Sequence, residues 1–213
     1  MKPIIFFNLI AAVFSFTGCD DNYVDTGLAN GNHDCSMYEY FLSDHSNWDS
    51  LVLLIQRADL VELVSGKDSD HPEITMLGIT NLSMKSTLLS TLDDEGNQKY
   101  RRIADLPQAL CRDLVLSHTF DKRMLRTQFA PEIKGTLEGG TLITTLSGRE
   151  IRVYLKEGNE WGIDLGSNAI GVEFKTPANI IADVASGDIQ TLNGAVHSMA
   201  YTYQPLIDYG TWN

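Results

Sequence analysis

Five histidines, three cysteines and three tryptophans are the residues of this chain with chemistry to offer, so their spacing comes first. His33, His45, His71, His118 and His197 include no pair at the i, i+4 separation that puts two imidazoles on one helical face around a metal. Neither Cys-x-x-Cys nor His-Glu-x-x-His occurs, and no metal or other cofactor is expected. A serine nucleophile needs the strained Gly-x-Ser-x-Gly elbow, which is absent; Leu146-Ser147-Gly148 reads as a turn. Leu137-Glu138-Gly139-Gly140 lacks the lysine of a phosphate loop. Asp93 and Asp94 are adjacent in a polar stretch, which does not set the roughly 5 to 10 Å separation that glycoside hydrolysis demands. The sequence therefore points away from an enzyme.

Cys19 is the exception, because its surroundings point to covalent lipid. Lys2 precedes an apolar run from Ile4 to Phe16, too short for the about 20 residues of a membrane span but suited to a signal peptide. Phe16-Thr17-Gly18-Cys19 resembles the lipobox of bacterial lipoproteins, with Phe16 where an aliphatic residue is usual. The expected organisation is a signal peptide at 1–18, a flexible polar tether at 19–33, one domain at 34–205 and a tail at 206–213. Lipidation at Cys19 would anchor the chain to the outer membrane, on its surface or periplasmic face. Loss of residues 1–18 removes Lys2 as its one charge and takes the formal net charge from −12 to −13. So acidic a chain has no means of replacing the counterions of a nucleic acid, and acyl chains are its plausible hold on a membrane. Cys35 and Cys111 remain: export permits a bridge between them, while the helical face that Cys111 shares with Leu110, Leu114 and Val115 suits a buried thiol.

Two kinds of element must position these groups. Ser36-Met37-Tyr38-Glu39 has the form of a capping box opening a short helix. A longer helix is expected from about Asp49, with Leu51, Leu54, Ile55, Ala58 and Val61 at helical spacing and Gly66 as its left-handed cap. Ile74 to Leu77 reads as a strand, and Asp93 to Asn97 as a surface loop. A third helix is expected from about Leu106 to His118, with Leu106, Leu110 and Leu114 on one face and His118 following inward. Beyond Gly135 the period becomes two: Ile151, Val153 and Leu155 alternate with Arg152, Tyr154 and Lys156, and Ile170, Val172 and Phe174 repeat the pattern. Asn193-Gly194 offers positive φ for a tight turn into a last strand running to about Tyr203. Helices early and strands late indicate an α+β domain.

Three segments, in order, resemble motifs of the fasciclin-like domain family. Leu77-Gly78-Ile79-Thr80-Asn81 keeps the Thr80-Asn81 pair of the first motif; Leu114 to His118 resembles the middle motif, with Ser117 in place of a tyrosine; Asp188 to His197 resembles the second long motif, ending in Asn193, Gly194 and His197. The resemblance spans roughly Cys35 to Pro205 and implies a β-sandwich wedge flanked by several helices, in which Thr80, Asn81, His118, Asn193, Gly194 and His197 build the core. It also implies a candidate binding element at Asp188-Ile189. A non-enzymatic lipoprotein binding an envelope or extracellular protein, or a glycan, in adhesion or assembly is the leading expectation. The alternatives are a glycan-capturing accessory subunit of an outer-membrane importer, using exposed aromatics among Trp48, Trp161 and Trp212, and a hydrolase assembled around His118 or His197.

Overall fold

In the computed structural model, residues 30–156, 169–175 and 180–205 are described, together with the backbone of two short strands at 159–160 and 163–164. Cys19, Trp161 and Trp212 lie outside the residues so described, as do the expected signal peptide and C-terminal tail. Residues from Gly31 onward form one unit.

The helical layer begins where the capping box predicts it. In α1 (Met37–Ser43) the Ser36 hydroxyl accepts from the Glu39 amide at 3.3 Å while the Ser36 amide donates to Glu39 Oε2 at 2.9 Å. α2 (His45–Arg57) starts four residues before the expected Asp49, because the Asp44 side chain accepts from the Ser46 amide as its N-cap. It also stops short of Val61: Asp59 turns left-handed at φ +57°, and the chain resumes as the single turn α3 (Val61–Val64) before Gly66 at φ +70°. After β1 (Ile74–Gly78) comes a helix that apolar spacing does not announce, α4 (Asn81–Ser90), whose N-cap Thr80 accepts from the Ser83 amide at 3.3 Å. α5 (Gln108–Ser117) follows Pro107 and ends at His118.

The strands are β2 (Thr119–Asp121), β3 (Thr141–Thr144), β4 (Glu150–Leu155), β5 (Asn159–Glu160), β6 (Ile163–Asp164), β7 (Ile170–Phe174), β8 (Ile180–Thr191) and β9 (Gly194–Met199). Seven of them form one sheet in the order β2-β1-β9-β8-β7-β4-β3, in which only β1 and β9 run parallel; β5 and β6 pair separately. The twelve-residue β8 joins the two ends of the sheet. Its first residues pair with β7 and its later ones with β9, with register breaks between Val184 and Ser186 and between Ser186 and Ile189. Bulges of this kind bend a strand and sharpen its twist. Residues 31–35 lie along the other edge of β8: the Gln190 amide donates to the Gly31 carbonyl at 2.7 Å, and the His33 amide donates to the Gln190 carbonyl at 2.9 Å. Gly31, Asn32 and His33, placed by sequence in the tether, are thus held against the sheet.

Successive residues of a strand face opposite ways, and β1 and β9 accordingly serve two cores. Ile74, Met76 and Val196 meet the helices with Phe41, Trp48, Leu54, Ile55 and Leu114. Leu77 and Met199 face a second core with Phe120, Phe129, Ile151, Val153, Val172 and Phe174, drawn from both ends of the sheet, so one curled sheet supplies both walls of the expected sandwich. The class is α+β, as the order of elements predicts.

Two readings of the strands need correction. In β4, Arg152 and Tyr154 are as buried as Ile151 and Val153, because the loop carrying Glu138 and Gly139 covers the outer face and accepts from the Arg152 guanidinium. In the β8–β9 hairpin the two turn residues are Leu192 and Asn193, and neither has positive φ. Gly194 opens β9, where a Cβ would collide with the Ile74 carbonyl; close approach of β1, and not turn geometry, requires the glycine. β9 ends at Met199, four residues before Tyr203.

Candidate functional site

The motif residues do structural work that can be read bond by bond. Asn81 Oδ1 accepts from the Ser50 amide at 2.7 Å, and its amide nitrogen donates to the His45 and Ser46 carbonyls at 2.9 and 3.0 Å, tying α4 to the start of α2. Asn193 does the same for the hairpin: Oδ1 accepts from the Met37 amide at 2.7 Å and Nδ2 donates to the Val64 carbonyl at 3.1 Å, so one buried side chain joins β9 to α1 and α3.

Both histidines of the motifs are buried in the second core with both ring nitrogens occupied. His118 Nδ1 lies 2.7 Å from the Leu114 carbonyl, which can only accept; Nδ1 therefore carries the proton, and Nε2 accepts from the Tyr203 hydroxyl at 2.8 Å. Burial drives its pKa down to about 4, the bond to the Leu114 carbonyl opposes the shift, and the nearby Arg149 charge adds to it. His197 has the opposite tautomer. Nε2 donates to the Met124 carbonyl at 2.9 Å, and Nδ1 accepts from the Asp188 amide at 3.2 Å. Burial lowers its pKa as well, against the raising effects of the Met124 bond and the Asp188 charge. Two neutral imidazoles with fixed tautomers and no open nitrogen are packing elements, and neither is placed to shuttle a proton for a hydrolase.

Among the described residues, Cys35 and Cys111 are free thiols. Burial, with help from Glu39 and Asp34, raises the pKa of Cys35; burial raises that of Cys111 against the nearby Arg57. Trp48 is 2% exposed, with its ring pressed on Gly78 and tilted against Phe41 at 5.2 Å. A sugar-stacking platform needs an open ring face, so Trp48 does not supply one.

The expected binding element falls into two unlike halves. Ile189 packs against the helical core, while Asp188, at φ +60°, stands at the lip of the β8 bulge. An aspartate tolerates that region better than most residues, but it is still uncommon outside turns and functional sites. Asp188 Oδ1 accepts from the Arg126 amide at 2.6 Å, and Oδ2 lies 3.7 Å from Arg126 Nε. Around this pair is an open groove of about 530 Å³, lined by Gly31, Arg126, Ile170, Val184, Gly187 and Asp188 among others. It lies where β7 and residues 31–35 diverge along β8, so that Ala185, Ser186 and Gly187 are exposed between them. Sequence reading singled out Asp188 but not Arg126. No residue pattern links 126 to 188; the fold alone brings them together.

No family model and no curated protein matches this chain. Among solved structures it is similar to a FAS1 domain pair from the insect cell adhesion molecule fasciclin I, at 16% identity and a TM-score of 0.45. The match covers 79% of this chain and 45% of that one, so the chain spans less than half the length of the solved structure it resembles.

Proposed function

We propose that this chain is a divergent fasciclin-like binding domain without catalytic activity, held at the outer membrane by lipid on Cys19, that docks a segment of another envelope or extracellular protein. The groove beside Asp188 carries the reading. It joins an opposite-charge pair to a stretch of exposed strand backbone, two features that recognise an extended peptide through main-chain hydrogen bonds and one polar side chain. Holding Asp188 left-handed costs on the order of 1 kcal/mol or more, and such strain concentrates at binding sites. The imidazoles, buried and bonded on both sides, serve the scaffold.

A photocrosslinking residue at Ala185, in the groove, and another at Leu89, on helix α4, test the reading in native envelopes. An adduct specific to position 185 that disappears with Arg126→Glu supports it. The same adduct from both positions, or none from position 185, counts against it. The anchor is tested separately: Cys19→Ala is expected to abolish partitioning into a detergent phase, and retained partitioning would remove acylation from the proposal.

A further inference from the structure

His197 is buried, yet its ring joins the two walls of the groove beside Asp188. One wall is the β8 bulge, whose Asp188 amide donates to Nδ1 at 3.2 Å; the other is the 124–126 segment, whose Met124 carbonyl accepts from Nε2 at 2.9 Å. The same two segments meet again nearer the surface, where the Arg126 amide donates to Asp188 Oδ1 at 2.6 Å. Gly187, exposed in the groove, lies directly over the ring: a Cβ there would stand 3.2 Å from His197 Nδ1 and 3.0 Å from Ile170 Cδ1.

Nδ1 accepts from the Asp188 amide only while it carries no proton of its own. A proton taken from water onto that lone pair turns Nδ1 into a donor facing a donor, and the Asp188 peptide has to turn away. Asp188 sits at φ +60°, so a turn to negative φ also relieves strain, and its carboxylate leaves the Arg126 amide as the backbone moves. The Met124 bond survives, since Nε2 donates in both states.

Few charges face the ring. β8 brings Asp188, whose charge favours the proton. From the segment after β2, Arg126 is turned to Asp188, Arg123 to Glu73 and the Thr191 and Leu192 carbonyls, and Lys122 is exposed, while Phe129 meets the ring edge-on at 5.6 Å. β1 pairs Leu77 with His197, and β7 brings Ile170. His118, the other imidazole of this core, turns its nitrogens to Leu114 and Tyr203. Burial opposes the proton more than Asp188 and the Met124 bond favour it, so the ring titrates below the ordinary 6.5.

We infer that His197 is the positioning residue of the groove: its neutral ring holds the β8 bulge and the 124–126 segment in the docking geometry, and protonation of Nδ1 releases Asp188 from Arg126. The inference rests on the docking reading of this groove and adds its control by acid. A partner that needs the neutral ring is held less tightly as pH falls, and its binding in turn drives the proton off.

Amide and imidazole NMR of the full chain from about pH 7.5 to about pH 5, with circular dichroism to follow the fold, is the test. The Asp188 and Arg126 amide signals are expected to shift along the same curve as the His197 ring, with a midpoint below 6.5. His197→Gln keeps a donor and an acceptor but does not titrate, and should abolish both shifts; His118→Gln should leave them in place. If His197→Gln does not fold, coincidence of the curves in His118→Gln decides alone. An Asp188 signal that stays still while the ring titrates, shifts that survive in folded His197→Gln, or unfolding before the ring titrates would overturn the inference. Crosslinking reads the same event at the partner: the adduct from position 185 should fall at least about fivefold across this range in the wild type and hold in His197→Gln. An adduct equally strong at both ends in the wild type would also overturn it, whereas no adduct at any pH removes the docking reading and leaves the amide shifts to decide.

Discussion

The two cores on either side of β1 and β9 are held together by different physics. The helical core is apolar, and at its margins Ser36, Asn81 and Asn193, with the exposed carboxylates of Glu39 and Asp44, satisfy backbone groups that helix and hairpin ends leave open. The strand core takes ionisable groups inside. His118 and His197 lie among Phe129, Phe174 and Tyr203, and on the outer face of the same strands Arg152 and Glu173 form an ion pair at 2.5 Å with both side chains almost fully buried. The first kind of core meets acid only at its surface, where the capping bonds of the Glu39 and Asp44 carboxylates lower their pKa. The second depends on which protons are bound.

The largest break should come from the ion pair. Glu173→Leu leaves the Arg152 guanidinium buried beside a hydrocarbon and is expected to cost roughly 3 to 5 kcal/mol by urea denaturation, whereas adding Arg152→Met to it should recover most of the loss. If the double variant is as unstable as the single, packing and not the orphaned charge is responsible.

Acid gives the next effect. His118 has its folded pKa lowered to about 4 from an ordinary 6.5, so the unfolded chain binds the proton first. Stability is therefore complete at neutrality and is lost as pH falls from about 6.5 to about 4, by roughly 3 kcal/mol for this residue. His197 acts in the same direction. Denaturation midpoints across that window should slope downward toward acid, and His118→Gln should flatten the slope; an unchanged slope would place the titration elsewhere.

The helical side yields smaller changes. Asn193→Ala strands the Met37 amide and the Val64 carbonyl and should cost about 2 kcal/mol, equal at pH 5 and pH 7. Ser36→Ala removes one cap and should cost about 1 kcal/mol, again equal at pH 5 and pH 7. A pH-dependent loss in either variant would erase the distinction between the cores.

The same contrast decides what could be read from the residues. Helical spacing and caps are local, and Ser36, Leu51, Leu54, Ile55, Leu110 and Leu114 mark the helical core directly. α4 escapes the reading because its apolar residues are not gathered on one face; Thr80 was visible as a motif residue, and its capping role was the available signal. The strand core depends on pairings far apart in sequence. Period two in β4 marks the strand correctly but says nothing of a loop from residues 138 and 139 folding over its outer face, and so Arg152 looks solvated when it is buried. The inward placement of His118 follows from its distance to Leu114. Arg126 beside Asp188 follows from nothing shorter than the whole fold.

The short parallel run of residues 31–35 on β8 has a mechanical consequence. A pull entering at Gly31 and resisted by a partner gripping Asp188 would travel only a few residues, through the bonds of Gly31, His33 and Cys35 to Gln190 and Leu192. Gly31 and Asp188 lie at the same end of this parallel pair, so such a pull would load the bond at Gly31 first and those of His33 and Cys35 in turn. That path crosses Ile189, which packs against the helical core, so such a load would reach the helical core before the strand core.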